Sequence, residues 1–475
     1  MNAITRDRAC GALLGTAAGD ALGAGYEFQG PRGPQEPVAM IGGGLGPFAP
    51  GEWTDDTAMG IAIAETAATG ADLRDEAALD VIVRRWAHWS TTAKDVGVQT
   101  RTVLAKATNA AAARAAAAAL HARTGRTAGN GSLMRTAPVA LAYLDDEAGL
   151  AQAARAVSDL THHDPDAADA CVLWCAAIRH AVHTGDLDVR VGLGLLDADR
   201  RASWSARIEA AEAAEPAAFT ARNGWVVAAL QAAWSAIVHT PAVAENPAAG
   251  VFRADRMRRG LEAAVRGGGD TDTVAAIAGG LLGAAFGASA VPGEWRRILH
   301  GWPGLRTRDL IALADRIVTR GEPDGFDYTY GGFPGAPVAV AHPHDGGVLI
   351  GGISAIRRLP EPIDAVVSLC RVADEHLPAG IEHLDVRLID ADGQNANLDF
   401  VLADTVRTIE QLRQEGRTVF VHCVQAHSRT PTIAALYGAR RAGIDIEQAL
   451  REVVAVLPDS YPRHEFRAAL RRLVP

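Results

Sequence analysis

The sequence predicts a multidomain protein, an all-α domain followed by a small α/β domain. From Thr5 to about Val318 the chain runs in long alanine-rich stretches with very few β-branched clusters, a pattern of helix without strand. Beyond about Arg320, short β-like runs alternate with helical patterns, which argues for a largely parallel sheet. At 475 residues the chain also exceeds what one ordinary core organises. The predicted boundaries are an all-α domain over 1–320, a linker over 321–335 rich in Gly, Pro and aromatics, and an α/β domain over 336–475.

Within the first domain, Gly11, Gly15, Gly19 and Gly23 fall four apart, as do Gly279, Gly283 and Gly287. On a helix each set makes a face without side chains, which suits close approach of another backbone. Glycine weakens a helix, so such stripes want a packing reason; central helices, packed on each other, are one arrangement that supplies it. Ala105 to Ala122 is among the strongest helical runs. Loops are expected at Gln29–Gly51, Thr124–Gly131 and Thr240–Gly250, where Pro and Gly cluster. In the second domain strands are expected at Val348–Ile350, Ala365–Leu369, Leu384–Leu388 and Thr418–Val421. Helices are expected at Leu398–Gln414 and Thr430–Arg441.

Composition narrows the function classes. Nearly half the residues are apolar, as in a globular protein, and the formal charge of −10 makes general nucleic-acid binding unexpected. Five scattered cysteines (Cys10, Cys171, Cys175, Cys370, Cys423) match neither a disulfide framework nor a zinc set, so a reducing, cytoplasmic setting is expected. Val274 to Val291 lacks charge but is mostly Ala and Gly, and reads as a buried helix rather than a membrane span. The N-terminus carries Arg6 and Arg8 and an apolar run broken by Asp20, which does not read as a signal peptide. No membrane partner is expected, and nothing in the sequence sets an oligomeric state.

Two acidic clusters stand out, Thr54-Asp55-Asp56-Thr57 and Gly269-Asp270-Thr271-Asp272-Thr273. Each precedes an apolar helical stretch, and helix capping is one reading of either. Capping needs only one such residue, however, whereas each cluster stacks two carboxylates beside a hydroxyl. Carboxylates brought together repel unless a cation neutralises them, and oxygen-only donors favour Mg²⁺ or Mn²⁺.

These clusters belong to a longer series of motifs. Gly19-Asp20-Ala21-Leu22-Gly23 with Glu27, Thr54-Asp55-Asp56-Thr57, Asp95-Val96-Gly97 with Thr100-Arg101, Gly129-Asn130-Gly131-Ser132-Leu133-Met134-Arg135, Thr161-His162 with Asp164-Pro165, and Gly268–Thr273 occur in that order. Together they resemble the ADP-ribosylglycohydrolase family over most of residues 1–320. The resemblance implies an all-helical domain holding two divalent cations, Mg²⁺ or Mn²⁺, with Thr54, Asp55, Asp56, Asp270, Asp272 and Thr273 as ligands, over the ribose next to the scissile bond. Cleavage at the anomeric carbon builds oxocarbenium character, and a bound metal orients hydroxyls and acidifies water. Asp55 or Asp56 is then the acid/base beside the metals. Glu27 falls where some family members carry a glutamate that gates or assists the metal site; an exposed loop acid is the other reading. The loop with Asn130, Gly131, Ser132 and Met134 offers backbone N–H groups to a diphosphate, or is an ordinary tight turn. Asp95 and Gly97 would lie near the ligand, with Asp95 recognising the leaving group as one reading. His162 reaches the ribose or caps a helix.

In the second domain, Cys423 and Arg429 frame a Cys-x5-Arg segment after a β run and before a helix. Such a loop aims N–H groups at a phosphate, and the helix N-terminus with Arg429 stabilises a thiolate at Cys423, the nucleophile for a cysteinyl-phosphate. Arg429 can grip two phosphate oxygens in its planar fork. With His422 and Thr430, the segment resembles the dual-specificity and tyrosine phosphatase superfamily over about 335–475. By that resemblance Asp390 is the general acid, with Asp392 as fallback, His422 and Thr430 complete the phosphate site, and Ala426 replaces the usual glycine. A position needing positive φ would penalise that alanine. Cys370, at the end of an apolar strand, reads as core.

The expected function is therefore a bifunctional hydrolase. It would act on an ADP-ribose-containing substrate, cut at C1″ from a protein, nucleotide or small-molecule adduct, and on a phosphomonoester. The alternative is a sensor in which one domain binds ADP-ribose or phosphate without turnover and regulates the other.

Overall fold

The computed structural model describes residues 1–475 except 324, 331, 334–337, 360, 361, 374, 375, 378, 379 and 475. Part of the predicted linker (324, 331, 334 and 335) and the first two residues of the predicted α/β domain (336 and 337) lie outside the described residues. The chain divides into two compact units. The first comprises Met1–Ala242, Arg256–Val291 and Ile298–Asp324; the second comprises Val243–Asp255, Pro292–Arg297 and Gly325–Pro475.

The first unit is helical. Its helices are α1 (Ala3–Gly23), α2 (Asp55–Ala67), α3 (Glu76–Ser90), α4 (Val98–Leu104), α5 (Ala110–Thr124), α6 (Ala137–Ala142), α7 (Glu147–Asp159), α8 (Pro165–Thr184), α9 (Ala198–Ala213), α10 (Val226–His239), α11 (Asp255–Arg266) and α12 (Thr271–Phe286). Past the short α13 (Gly293–Ile298), whose residues up to Arg297 belong to the second unit, a two-stranded hairpin of β1 (His300–Gly301) and β2 (Leu305–Arg306) leads into α14 (Thr307–Val318).

At the centre α1 and α12 run antiparallel, glycine face to glycine face. A Cβ on Gly11, Gly15 or Gly19 would stand 2.2, 2.2 and 2.0 Å from the carbonyl oxygens of Gly283, Gly279 and Ala275. Any side chain there would force the backbones apart, which is why both stripes are bare. All 16 residues of α12 are buried, so the uncharged segment from Val274 is an interior helix. Among the described residues no helix is long and apolar enough to cross a membrane.

The alanine run from Ala105 to Ala122 is not one helix. It breaks between α4 and α5, where Asn109 takes an extended conformation and its Oδ1 accepts the Ala112 N–H at 2.8 Å. The side chain that caps α5 thus ends the continuity that alanine alone would permit.

The second unit holds a five-stranded sheet in the order β3-β4-β7-β5-β6. Its strands are β3 (Ala339–His342), β4 (Asp345–Gly352), β5 (Ala365–Ser368), β6 (Glu382–Asp385) and β7 (Val419–Cys423). Only β3 is antiparallel to its neighbour; β4, β7, β5 and β6 are parallel. Helices α15 (Leu398–Gln414), α16 (Arg429–Ala442), α17 (Ile446–Val456) and α18 (His464–Leu473) complete it. The expected strand Leu384–Leu388 leaves the sheet after Asp385, where Arg387 takes a positive φ of 53°. Central β7 is buried along its whole length and delivers Cys423 to the loop before α16.

Candidate active sites

The first site follows from the glycine contact. Because α1 and α12 cross so closely, Asp20, near the end of α1, meets the first turn of α12 and the start of α2. Asp20 is fully buried. Its Oδ1 accepts the Thr54 N–H at 2.9 Å, and its Oδ2 accepts the Thr57 N–H at 3.0 Å and the Thr57 hydroxyl at 2.6 Å. Asp20 therefore caps α2 from another helix. Thr54 and Asp270, at the N-cap positions of α2 and α12, make no side-chain capping bond. Freed of that duty, the Thr54 hydroxyl turns on Asp56 Oδ2 at 3.0 Å and Asp272 Oδ2 at 3.5 Å, and Asp270 Oδ2 accepts from Asn130 Nδ2 at 2.7 Å.

The two sequence clusters thus meet. One carboxylate oxygen each from Asp20, Asp56 and Asp272 lies within 4.8 Å of the others, and so does one each from Glu27, Asp270 and Asp272. Asp272 belongs to both groups, and Thr273 is buried beside it. Asp56 Oδ1 is buried without a hydrogen-bond partner among the described residues. Burial first, and mutual repulsion with it, drives Asp56 and Asp272 well above the usual carboxylate range. Burial also pushes Asp20 up to about 6 despite the bonds from Thr57 and Thr54, and Glu27 to about 7 despite the bond from Leu45. Asp55 rises to about 8 through burial and the charges of Asp95 and Asp20. A set of oxygen donors with an unsatisfied buried carboxylate atom and no His or Cys fits a hard divalent cation, which would relieve the repulsion.

Around this centre, Glu27 Oε2 accepts the Leu45 N–H at 3.2 Å, and Asp55 Oδ2 accepts that of exposed Gly97 at 3.4 Å. Asp95 is half-buried, with Oδ1 on the Val96 N–H at 2.7 Å. The Asn130–Ser132 turn differs from a wholly free phosphate cradle. The Asn130 N–H donates to Gly224 O at 3.2 Å, and its carboxamide holds Asp270 and the Asn223 carbonyl. Asn130 thus positions a carboxylate of the centre. Ser132 and Met134 are buried, and Gly131 backs onto the His162 ring, 3.2 Å from where its Cβ would stand. His162 caps no helix, because α8 is capped by Asp164, whose Oδ1 accepts the Asp166 N–H at 2.9 Å.

The second site lies where β7 meets α16. Cys423 is buried at the strand end. Ala426, in the following loop, adopts φ 59°, so the alanine sits in the left-handed region that a glycine would occupy without penalty. Arg429 Nη1 donates to Leu369 O at 3.0 Å and Leu388 O at 2.9 Å, which orients the guanidinium; Nε is buried without a hydrogen-bond partner among the described residues. Asp390 lies 3.9 Å from Arg429 Nε and pairs with Arg463 at 3.0 Å. Its loop is closed by Asn395, which both accepts from and donates to the Ile389 backbone. Asp392 is exposed. The Thr430 hydroxyl donates to Gly351 O at 3.2 Å.

His422 departs from the expectation of a phosphate contact. It is fully buried, stacks on Phe420 and pairs through Nε2 with Ser368 Oγ at 2.7 Å. Burial drops it to about 3, so it stays neutral. It stands behind the loop and braces it, because strand alternation turns its side chain away from that of Cys423. Cys370 is core, and burial pushes its thiol up to about 12.

Three residues were not assigned roles from the sequence. Asp20 was visible as an acid inside an Ala/Gly helix with no cation a turn away. Asn223, which accepts the Asp270 N–H at 3.1 Å and donates to Gly268 O at 2.9 Å, gave no local signal. Arg135 is buried with no ion pair among the described residues.

The family model for ADP-ribosylglycohydrolase matches residues 1–325. An "ADP-ribosylarginine hydrolase Tri1" of Pseudomonas putida is 30% identical over 295 residues, spanning 61% of this chain and 73% of that protein. A solved "ADP-ribosylglycohydrolase-related protein complex" is 29% identical and covers 67% of this chain and 99% of the other, with a TM-score of 0.48. The C-terminal part is similar to mouse "Protein phosphatase Slingshot homolog 3", 31% identical over 109 residues, 23% of this chain and 16% of that protein.

Proposed function

This chain belongs to the ADP-ribosylglycohydrolase family, and from that premise we propose that it hydrolyses the glycosidic bond at C1″ of ADP-ribosylated arginine, with a second, phosphatase-like site in its C-terminal unit. The convergence of Asp20, Asp56 and Asp272 on one point, with none of the three in an ion pair among the described residues, is the observation that carries it. Thr54, Asp55, Asp56, Asp270, Asp272 and Thr273, joined by Asp20, are the proposed holders of two Mg²⁺ or Mn²⁺ ions. When bound, such ions polarise ribose hydroxyls and acidify water.

The residues of the chain supply the rest. Asp55, half-buried at the rim, removes a proton from the attacking water. The C1″–N bond breaks with its electron pair going to the guanidine nitrogen, the water oxygen bonds to C1″, and the nitrogen takes up a proton. Asp95, one of the charges raising Asp55, faces a cationic guanidinium favourably. Glu27 is held by Leu45 at the edge of the same group, where it can follow the ligand in.

The test is release of ADP-ribose from ADP-ribosyl-arginine by the full chain. The reading expects release that requires Mg²⁺ or Mn²⁺ and is lost in Asp272→Ala. Release that persists in a chelator would end the metal part; preference for a serine-linked or nucleotide-linked substrate would end the arginine part.

At the second site, Cys423 thiolate would attack phosphorus while the P–O bond to the leaving group breaks and Asp390 protonates the departing oxygen; water then hydrolyses the cysteinyl-phosphate. A second reading, in which this unit binds phosphate without turnover, is favoured by the strained Ala426. Hydrolysis of p-nitrophenyl phosphate that disappears in Cys423→Ser decides for catalysis.

A further inference from the structure

Arg135 is fully buried, with its guanidinium 4.0 Å over the Trp86 ring. Among the described residues it forms no ion pair, and its Nε has no hydrogen-bond partner. A buried guanidinium without a carboxylate is costly, so its retention calls for an explanation. Its other contacts give one. Nη2 donates to Thr161 Oγ1 at 2.6 Å, and Nη1 lies 3.4 Å from Met59 Sδ. Thr161 Oγ1 in turn sits 2.7 Å from His162 Nδ1.

The direction of the protons follows from donor chemistry. Arginine donates and never accepts, so the Thr161 oxygen is the acceptor of the first bond. The hydroxyl's own hydrogen then has one acceptor in reach among the described residues, His162 Nδ1. With the hydroxyl hydrogen given to it, that nitrogen is unprotonated and the imidazole hydrogen sits on Nε2. Nε2 faces the Gly129–Gly131 turn, 3.3 Å from where a Cβ on either glycine would stand. Burial, and then the charge of Arg135, hold the ring neutral. Gln99 fixes the threonine from the other side, its Nε2 donating to the Thr161 carbonyl at 2.9 Å and the Thr127 carbonyl at 3.0 Å.

We propose that Arg135 is a positioning residue which, through Thr161, locks His162 as the neutral tautomer bearing its proton on Nε2, so that this N–H is presented as a fixed donor at the Asn130 turn to an oxygen of the ADP-ribosyl group. The ligand part rests on the glycohydrolase reading; the tautomer part does not. Two glycines at the turn fit the same picture, since a side chain at either would press on the ring.

The closing experiment uses the full chain labelled with ¹⁵N-histidine, and ADP-ribose as the probe. The His162 signals are identified by their absence in His162→Gln. The proposal expects a neutral ring with Nε2 protonated in the unmodified protein. It expects Thr161→Val to abolish that preference and weaken ADP-ribose binding about tenfold, the worth of one well-placed hydrogen bond. Thr161→Ser, which keeps the hydroxyl, should restore both. A ring protonated on Nδ1 or on both nitrogens, or binding unchanged in Thr161→Val, overturns the proposal. If Thr161→Val does not fold, the spectrum of the unmodified protein together with the affinity of Thr161→Ser still decides. Absence of any ADP-ribose binding by the unmodified chain would refute the ligand half, and with it the glycohydrolase reading, while leaving the tautomer measurement intact.

Discussion

Asp56 carries a buried oxygen without a hydrogen-bond partner among the described residues, inside a group of carboxylates that repel one another. Without metal, that arrangement is a liability. Removing one charge should help the metal-free protein: Asp56→Asn is expected to raise its melting temperature by about 1–2 °C, the equivalent of ~1 kcal/mol in a protein of this size. The same change should abolish the stabilisation that Mn²⁺ gives the unmodified protein, which at a hundredfold excess over Kd amounts to about 2.7 kcal/mol. Calorimetry with and without Mn²⁺ reads both; a metal-free Asp56→Asn that melts lower than the unmodified protein would argue against stored repulsion. Ala426 poses the reverse case. Its left-handed backbone costs roughly 1–2 kcal/mol, against which glycine loses about 0.4–1 kcal/mol through the freedom it adds to the unfolded chain. Ala426→Gly is therefore expected to be neutral to slightly stabilising and to raise turnover of p-nitrophenyl phosphate. At this scale the sequence was readable where chemistry repeats a motif, as at Thr54–Thr57 and Cys423–Arg429. It marked Asn130 and His422 as site residues but was silent about what they hold, because their partners Asp270 and Ser368 are distant in the chain.

Elements place those residues. α2 and α12 both begin at the carboxylate group, so the positive ends of two helix dipoles face it and offset part of its charge. Their convergence depends on α1 lying against α12 with nothing between them. Gly15→Ala would put a Cβ 2.2 Å from the Gly279 carbonyl oxygen. Overpacking of this kind costs about 1–3 kcal/mol, and the better helix propensity of alanine returns only ~1 kcal/mol. The variant should melt lower and bind Mn²⁺ more weakly, because separating the helices draws Asp20 away from Asp272. Gly224→Ala is the control, since its Cβ would meet nothing within 4 Å, and it should stay within about 0.5 kcal/mol of the parent. Equal effects of the two changes would dissociate the glycine stripe from the site. The stripe was legible because close backbone approach leaves a periodic signature in residue type. The break between α4 and α5 was not, because alanine composition says nothing of the side chain at Asn109 that stops one helix and starts the next. Nor was edge strand β3, short and half-exposed, marked by any apolar alternation.

On the scale of the whole chain, composition suggested a division near residue 320, with a C-terminal domain over 336–475. The second unit nevertheless takes in Val243–Asp255 and Pro292–Arg297. These segments matter physically. Asp404, buried in α15, accepts the Gly293 N–H at 2.8 Å and lies 3.5 Å from Arg296, itself buried. Phe252 meets Phe400 edge to face at 5.7 Å. Composition cannot reveal this, since each segment is short and lies inside the helical part of the sequence. A boundary drawn at 336 would leave Asp404, among the described residues, the ion pair with Arg407, at 3.5 Å and on the exposed side. Loss of one partner from a buried pair costs about 3–5 kcal/mol because the remaining charge stays desolvated. The prediction is made on the full chain: Arg296→Met should speed hydrogen exchange at the amides of Val419, Phe420 and Val421 in central β7, while those of Ala276–Ala278 in α12 keep their protection. Unchanged exchange in β7 would mean that the Arg296–Asp404 pair contributes little and that the C-terminal unit stands without the segments preceding it. If the predicted loss is seen, a truncated C-terminal unit made from 336 onward would be too unstable to serve as a fair measure of Cys423. The activity of the second site should then be judged in the intact chain, with Cys423→Ser and Asp272→Ala each silencing its own reaction and sparing the other.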